Sequence, residues 1–451
     1  MLTHDAVMTA DPAFTTPEML RVFSAEVRVQ CMLHFEAALA RALAAVGRMP
    51  PEVAETIVAA CRVENMDVDA ILRAGAPAGT PVIPLVAALR SLVDDHARGY
   101  VHAGATSQDV IDSGLMLQMD YGSELLLDDL RGLGRACAAL AEAHRTTVAV
   151  ARTLQQHALP MPFGLKAAQW LSAVTAQLER LQRIRADLVV QVGGAAGTLA
   201  AFGEDGLAVA EAVAGELHLG VADLPWHSDR DRVAAVVSAV GLAARAVGKI
   251  AGDIVSLMST EVAEVAEAPA SGNGGSSAMP HKRNPVDAVA ARAAARLALG
   301  SAGVVVGAFE HEHERAAGAW QAEWAAVPDT FCYAAGAICR TRAAVEGLRV
   351  DADRMLVNLA ATKGLAQAEA LAGALATNMG RDRADAIVAQ ACRVALERGA
   401  DLAAVVRDNQ AITGELGDAE IAAALDPRGY LGSSDILITR AIARFAAAVD
   451  D

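Results

Sequence analysis

Between residues 229 and 264 the chain places Val233, Val236, Val240, Ala243, Val247, Ile250, Ile254 and Leu257 at alternating spacings of three and four. That rhythm puts eight apolar side chains on one stripe of a helix, and the stripe needs an apolar partner along its whole length. At 1.5 Å per residue the segment predicts one helix on the order of 50 Å long. Leu171, Val174, Leu178, Leu181 and Leu188 repeat the pattern, and residues 286–309 form another alanine-rich helical stretch. Hydrophobic residues make up 54% of the chain but aromatics only 4%, so the material is small side chains suited to close helix packing rather than to a sheet. The expectation is an all-α protein with a central bundle of long helices.

Punctuation divides the rest. Residues 19–45 are helix-compatible after the Pro and Thr of 14–18, and Pro50-Pro51 opens the next helix. Breakers make 74–84 a loop, while the polar junction YVHAGATSQDVID at 100–112 leads to a helix starting near Ser113. Past residue 348 the helical stretches shorten. This predicts three helical domains, at 1–111, 112–348 and 349–451.

With 38 Lys plus Arg against 54 Asp plus Glu, the formal charge of −16 disfavours a nucleic-acid partner, whose binding depends on neutralising phosphates. A small anion stays possible where basic residues cluster. Cys31, Cys61, Cys137, Cys332, Cys339 and Cys392 show no metal-ligand spacing and read as thiols of a reducing compartment. The N-terminal residues carry His4, Asp5 and Asp11 before any long apolar run, so no leader and no membrane partner is expected, and the cytoplasm is the expected location.

Two segments break the helical pattern, ARTLQQHALPMPFG at 151–164 and APASGNGGSSAMPHKRNP at 268–285, both read as loops. In the second, three glycines in four positions offer backbone amide donors beside Ser276 and Ser277. His281, Lys282 and Arg283 then place positive charge next to Asn284. Such a patch in an acidic protein suits a carboxylate-rich substrate. A phosphate-binding P-loop does not fit, since no Ser or Thr follows Lys282. A plain interhelical linker is the bland alternative.

GSSAMPHKRNP resembles the signature loop of the fumarase/aspartase superfamily. HAGATSQDV at 102–110 and RTLQQHALP at 152–160 are similar to its two other active-site regions, in the same order. The resemblance implies three helical domains, a homotetramer with active sites shared between subunits, and addition or elimination next to a carboxylate without metal or organic cofactor. Met66-Asp67-Val68, Leu154-Gln155-Gln156-His157 and Val289 stand where the adenylosuccinate-cleaving branch has two histidines and a glutamate. FEAALARALAAVG, PWHSDRDR, EHERAAGAWQAEW and YLGSSDILITRAI look instead like the lactone-forming, cycloisomerase branch, except that Leu154 replaces a usual Trp. That likeness implies a small polycarboxylate substrate, a muconate with a third anionic group, carboxylate or sulfonate. A fumarate-releasing lyase and a non-catalytic binding protein are the other readings.

By resemblance Ser276 is the general acid, with Lys282 stabilising charge and binding carboxylate. His157, as an imidazole, either exchanges protons or only orients substrate. The expected substrate contacts are His102, Thr106, Ser107, Gln108, Thr153, Gln156, Asn284 and Arg315. Arg315 alternatively pairs with Glu312 or Glu314, as EHER on a helix surface would.

Overall fold

The periodic segments fold as helices wherever the computed structural model describes the chain, at residues 11–268, 279 and 282–450. The elements used below, in chain order, begin with helices α1 (Ala25–Ala45) and α2 (Ser107–Ala143) and strands β1 (Val148–Thr153) and β2 (Gln156–Pro162). Then come α3 (Phe163–Ala186), α4 (Gly206–Leu217), α5 (Asp231–Leu257), α6 (Val286–Gly307), α7 (Ala319–Glu346), α8 (Ala352–Ala360), α9 (Ala368–Met379) and α10 (Arg381–Arg398). Of the described residues 71% are helical, and the strands among them pair only two at a time, as the all-α expectation requires.

The periodic helix α5 is shorter than its pattern suggested, 27 residues or about 40 Å. It stops at Leu257 because the chain turns back and the Glu264 amide donates to the Leu257 carbonyl. Helix α2 starts at Ser107, six residues earlier than the sequence indicated, because Thr106 and Asp109 begin the helix. Residues 19–45 are two helices, not one: Ser24 caps α1 by accepting from the Val27 amide, which ends the preceding helix Pro17–Val22. The breaker-rich 74–84 segment is mostly helix, with only 79–81 between Val68–Ala78 and Val82–Leu92.

The chain divides into two compact units. The first holds Met1–Leu130, Ala176–Gly248 and Ala290–Arg340. Its core forms where Met32, Phe35, Leu39 and Leu43 of α1 meet Val209 and Val213 of α4 and the helices that carry Ile57, Leu85 and Leu89. Residues Gly241 and Gly248 of α5 allow close approach of α6: a Cβ on Gly248 would lie 2.9 Å from that of Ala295, and one on Gly241 3.2 Å from that of Ala302. By length and composition α5 and α6 could each cross a membrane, but 67% of the apolar window of α5 is buried within the protein. That is the signature of a core helix.

The second unit holds Arg131–Thr175, Lys249–Val289 and Thr341–Asp451. Here Val148 and Val150 of β1 pack against Leu359 of α8 and Ala366. A separate cluster joins Leu371 and Leu375 of α9, Val388 of α10, and Leu402, Val406 and Ile412. The segment read as a loop at 151–164 is the β1–β2 hairpin running into α3. Pro160 and Pro162 obscure it in the sequence, since proline cannot donate to a ladder, but β2 pairs on one side only and needs no donor there.

Candidate active site

The site residues fall into two sets, one in each unit. In the first unit a tight turn precedes α2. His102 lies in the left-handed region at φ 61° and Gly104 at φ 83°; a Cβ on Gly104 would sit 2.5 Å from the Phe202 ring. The turn is pinned by Asp109, fully buried, whose carboxylate accepts from the amides of Thr106, Gly193 and Gly194 at 3.0 Å each. The same carboxylate lies 2.7 Å from Nε2 of buried His227. Thr106 and Ser107 are thereby presented, partly exposed, at the N-terminus of a 37-residue helix, where amide donors favour an anion.

Arg315 is exposed and is not on a helix, and its guanidinium does not reach Glu312 or Glu314 as the alternative reading had it. It donates through Nε to Gln108 Oε1 at 3.0 Å and to the Ala195 carbonyl at 3.2 Å. Gln108 is fully buried and donates to the His227 carbonyl at 2.8 Å. Its amide is therefore committed to the fold, and it aims Arg315 rather than facing solvent. The His102 ring nitrogen Nδ1 lies 2.6 Å from Oε1 of buried Glu36. Burial opposes a charged imidazole, but the hydrogen bond and charge of Glu36, with a smaller push from Asp109, outweigh it and hold the His102 pKa above its ordinary value.

Beneath this set Arg230 is 1% exposed, held between Asp112 (2.7 and 3.1 Å) and Glu323 (3.1 Å through Nε). Trp320 Nε1 donates to Asp112 at 3.0 Å, and the Trp226 ring lies 5.0 Å from the guanidinium carbon. Asp112 and Glu323 outweigh the burial that would lower the Arg230 pKa, and raise it. This network fixes the segment carrying His227, hence the carbonyl that holds Gln108.

In the second unit Thr153 and Gln156 pair across the mouth of the hairpin, with Leu154 at φ 50° and Gln155 at φ 65° between them. Both central positions of this turn need positive φ, for which Asn or Gly is the ordinary choice. Leu154 is 97% exposed there, so within its own unit it lines no cavity. Thr153, Gln156 and His157 are exposed too. His157 pairs in register with Arg152, whose guanidinium is clamped by buried Glu264 at 2.6 and 2.9 Å; Asn358 donates to the same carboxylate at 2.8 Å. One edge of a cavity of about 800 Å³ is formed by His157, facing Thr362, Lys363 and Glu369.

Lys282 is exposed and Asn284 partly buried, just before α6. The start of that helix is fixed by Glu267, which accepts from the amides of Ala288 at 2.9 Å and Asp287 at 3.2 Å. Ser276 lies outside the described residues, as does His281. Among the described residues no group of three or more His, Cys, Asp or Glu side chains could hold a metal ion.

Sequence reading missed Glu36, Asp109, His227, Glu264 and Glu267 as the groups that aim the site. The signal was present for two of them: PWHSDRDR contains His227 and HAGATSQDV contains Asp109.

Comparison with known proteins gives a consistent pattern. The family profile described as Lyase matches residues 13–300, and that described as Adenylosuccinate lyase C-terminus matches 364–441. A 3-carboxy-cis,cis-muconate cycloisomerase of Pseudomonas aeruginosa is 45% identical over 441 residues, covering 97% of this chain and 96% of its own. A nitrosuccinate lyase of Streptomyces davaonensis is 42% identical over 422 residues, covering 91% and 89%. The crystal structure of the 3-carboxy-cis,cis-muconate lactonizing enzyme of Pseudomonas putida superposes with a TM-score of 0.92 at 41% identity, covering 99% of this chain and all of that one.

Proposed function

The chain belongs to the fumarase/aspartase superfamily, and on that premise we propose that it is a cofactor-independent cycloisomerase closing 3-carboxy-cis,cis-muconate, or an analogue with another anionic 3-substituent, to its lactone. The observation that carries this reading is the end-to-end similarity, at 43–45% identity, to three proteins of that name.

The chemistry asks for positioning and charge. One substrate carboxylate oxygen forms a bond to a diene carbon, the π electrons move toward the carbon beside another carboxylate, and that carbon takes a proton. No group leaves, so the protein must deliver one proton, hold several carboxylates and stabilise the charge that develops. Ser276 is the proton donor in this reading, and His157 either exchanges that proton or orients the substrate. Lys282, Asn284, Arg315, Thr106 and Ser107 bind carboxylates. His102, whose charged form Glu36 favours, lies beside them, and Gln108 sets the angle of Arg315. Thr153 and Gln156 act from the hairpin tip.

The protein works as a homotetramer in which copies share active sites. Support comes from the strained, exposed hairpin tip and from the apolar residues Leu297, Leu299, Val304 and Val306, all more than 40% exposed on α6. The six free thiols support a reducing compartment, the cytoplasm.

A second reading, elimination of a substituent from a succinate with release of fumarate, is favoured by the 42% identity to the nitrosuccinate lyase. Purified protein with EDTA is offered 3-carboxymuconate, 3-sulfomuconate, nitrosuccinate and adenylosuccinate in separate cuvettes, and ultraviolet absorbance is followed. Consumption of a muconate supports the cycloisomerase. Fumarate formed from nitrosuccinate, with the muconates untouched, transfers the assignment to the second reading.

A further inference from the structure

The first unit contains a cavity of about 210 Å³ lined by Phe23, Met32, Ile111 and Leu115, with Arg28 and Trp324 in its wall. No Asp or Glu is among the described residues that line it. Arg28 is partly buried on α1, its guanidinium carbon 5.6 Å from the centre of the Trp324 ring. Among the described residues no carboxylate or carbonyl pairs with that guanidinium. The Trp324 Nε1 atom is buried and likewise has no acceptor.

Both are unusual. An arginine is charged at every ordinary pH and carries five donors, and a buried indole N–H normally finds an oxygen. Burial lowers the Arg28 pKa, and no carboxylate acts against it. Elsewhere in the same unit the rule is kept: Arg230 has two carboxylates and Trp320 has Asp112. The cavity therefore combines an apolar wall with a fork of donors that lacks its anion.

We propose that this cavity is a binding site for a small organic monoanion, an aromatic or alicyclic monocarboxylate. Its carboxylate would accept from the Arg28 guanidinium and Trp324 Nε1, and its ring would lie against Phe23, Met32 and Leu115. Size supports this class. A dry apolar cavity of about 150 Å³ holds benzene, and the space left over here is roughly what two waters fill, enough for a carboxylate. Charge sets the valence: one guanidinium in an apolar wall matches one carboxylate, while the second and third charges of a polycarboxylate would be buried without partners. The site thus takes a different ligand class from the polycarboxylate substrate proposed above, and it does not depend on that reading.

The test is isothermal titration calorimetry of the intact protein with benzoate, with its neutral isostere benzamide, and with acetate. Benzoate is expected to bind at least about tenfold more tightly than benzamide, for the charge-assisted bonds, and than acetate, for the ring. In Arg28→Met the preference for benzoate over benzamide should vanish. Trp324→Phe should weaken benzoate several-fold while the preference remains. Lys282→Met should leave benzoate affinity unchanged, which separates this cavity from the carboxylate-binding residues before α6. No benzoate binding up to about 10 mM overturns the proposal, as does equal binding of benzoate and benzamide by the unaltered protein. So does a benzoate affinity that falls in Lys282→Met and not in Arg28→Met. If Arg28→Met does not fold, Arg28→Lys, which keeps the charge but not the fork, should retain part of the preference; an affinity equal to that of the unaltered protein would count against it.

Discussion

Replacing Arg230 by Met probes the network beneath the turn that precedes α2. Arg230, Asp112 and Glu323 are each at most 1% exposed, so removing the cation strands two carboxylates away from water. Breaking a buried pair in this way costs about 3–5 kcal/mol, and the stack on Trp226 adds roughly 0.5–2 kcal/mol. Trp320 Nε1 still donates to Asp112 and His311 Nε2 still lies 3.5 Å from Glu323, so about 4 kcal/mol is the expected net loss, a large part of the 5–15 kcal/mol that holds a domain together. The loss depends on pH with a definite sign. Burial raises the Glu323 pKa even with Arg230 present, and a carboxylate with a raised folded pKa favours the folded state less as pH rises from its unfolded pKa through its folded one. Without Arg230 that upward shift grows, so the penalty should be larger at pH 8 than at pH 5.5. Urea unfolding at fixed protein concentration, followed by circular dichroism, reads it as a midpoint lowered by about 1 M at pH 8. Adding Asp112→Leu and Glu323→Leu to Arg230→Met should recover most of the loss. A single-variant cost below about 1 kcal/mol at pH 8, or a cost that does not shrink toward pH 5.5, refutes the reasoning.

Ser276→Ala should lower turnover by about 10² to 10⁴ with an unchanged circular dichroism spectrum; near-normal kcat in a steady-state assay would remove Ser276 from the role of proton donor. Glu36→Gln should lower the His102 pKa in an NMR titration. Because the folded pKa of His102 is raised, its stabilising share is full below the unfolded pKa and lost as pH rises through the folded one. That decline, above about pH 6.5, should therefore disappear in the variant. Leu154→Trp should alter kcat/KM for 3-sulfomuconate and 3-carboxymuconate unequally if the hairpin tip reaches substrate in the assembled protein, and equal effects would show that Leu154 does not select the substituent.

The helices were legible because burial imposes a period: the stripe from Val233 to Leu257 is fully or nearly fully buried and marks α5 to within a few residues. The ends were not, since helix α2 starts where Asp109 ties Thr106 to Gly193 and Gly194, contacts made across the fold. The hairpin was hidden for a related reason. Its prolines and its Leu-Gln turn violate local preference, and contacts distant in sequence, such as the clamp of Arg152 by Glu264 and the packing of β1 on α8, hold it. Of the candidate site, the residue types and order could be read from the motifs, but their division of labour could not. Gln108 and Arg315, 207 residues apart, become one unit only when the chain is folded. The same holds for His102 and Glu36, because a carboxylate in an alanine-rich helical segment carries no local sign that it faces a histidine.

The reaction itself is tested most directly by following 3-carboxy-cis,cis-muconate with the purified protein in D₂O by proton NMR, with EDTA present. The account predicts that the vinyl signals give way to a single lactone, with one deuteron on the carbon beside a carboxylate and no fumarate. An unchanged diene at micromolar protein, with nitrosuccinate or adenylosuccinate cleaved to fumarate under the same conditions, would contradict it.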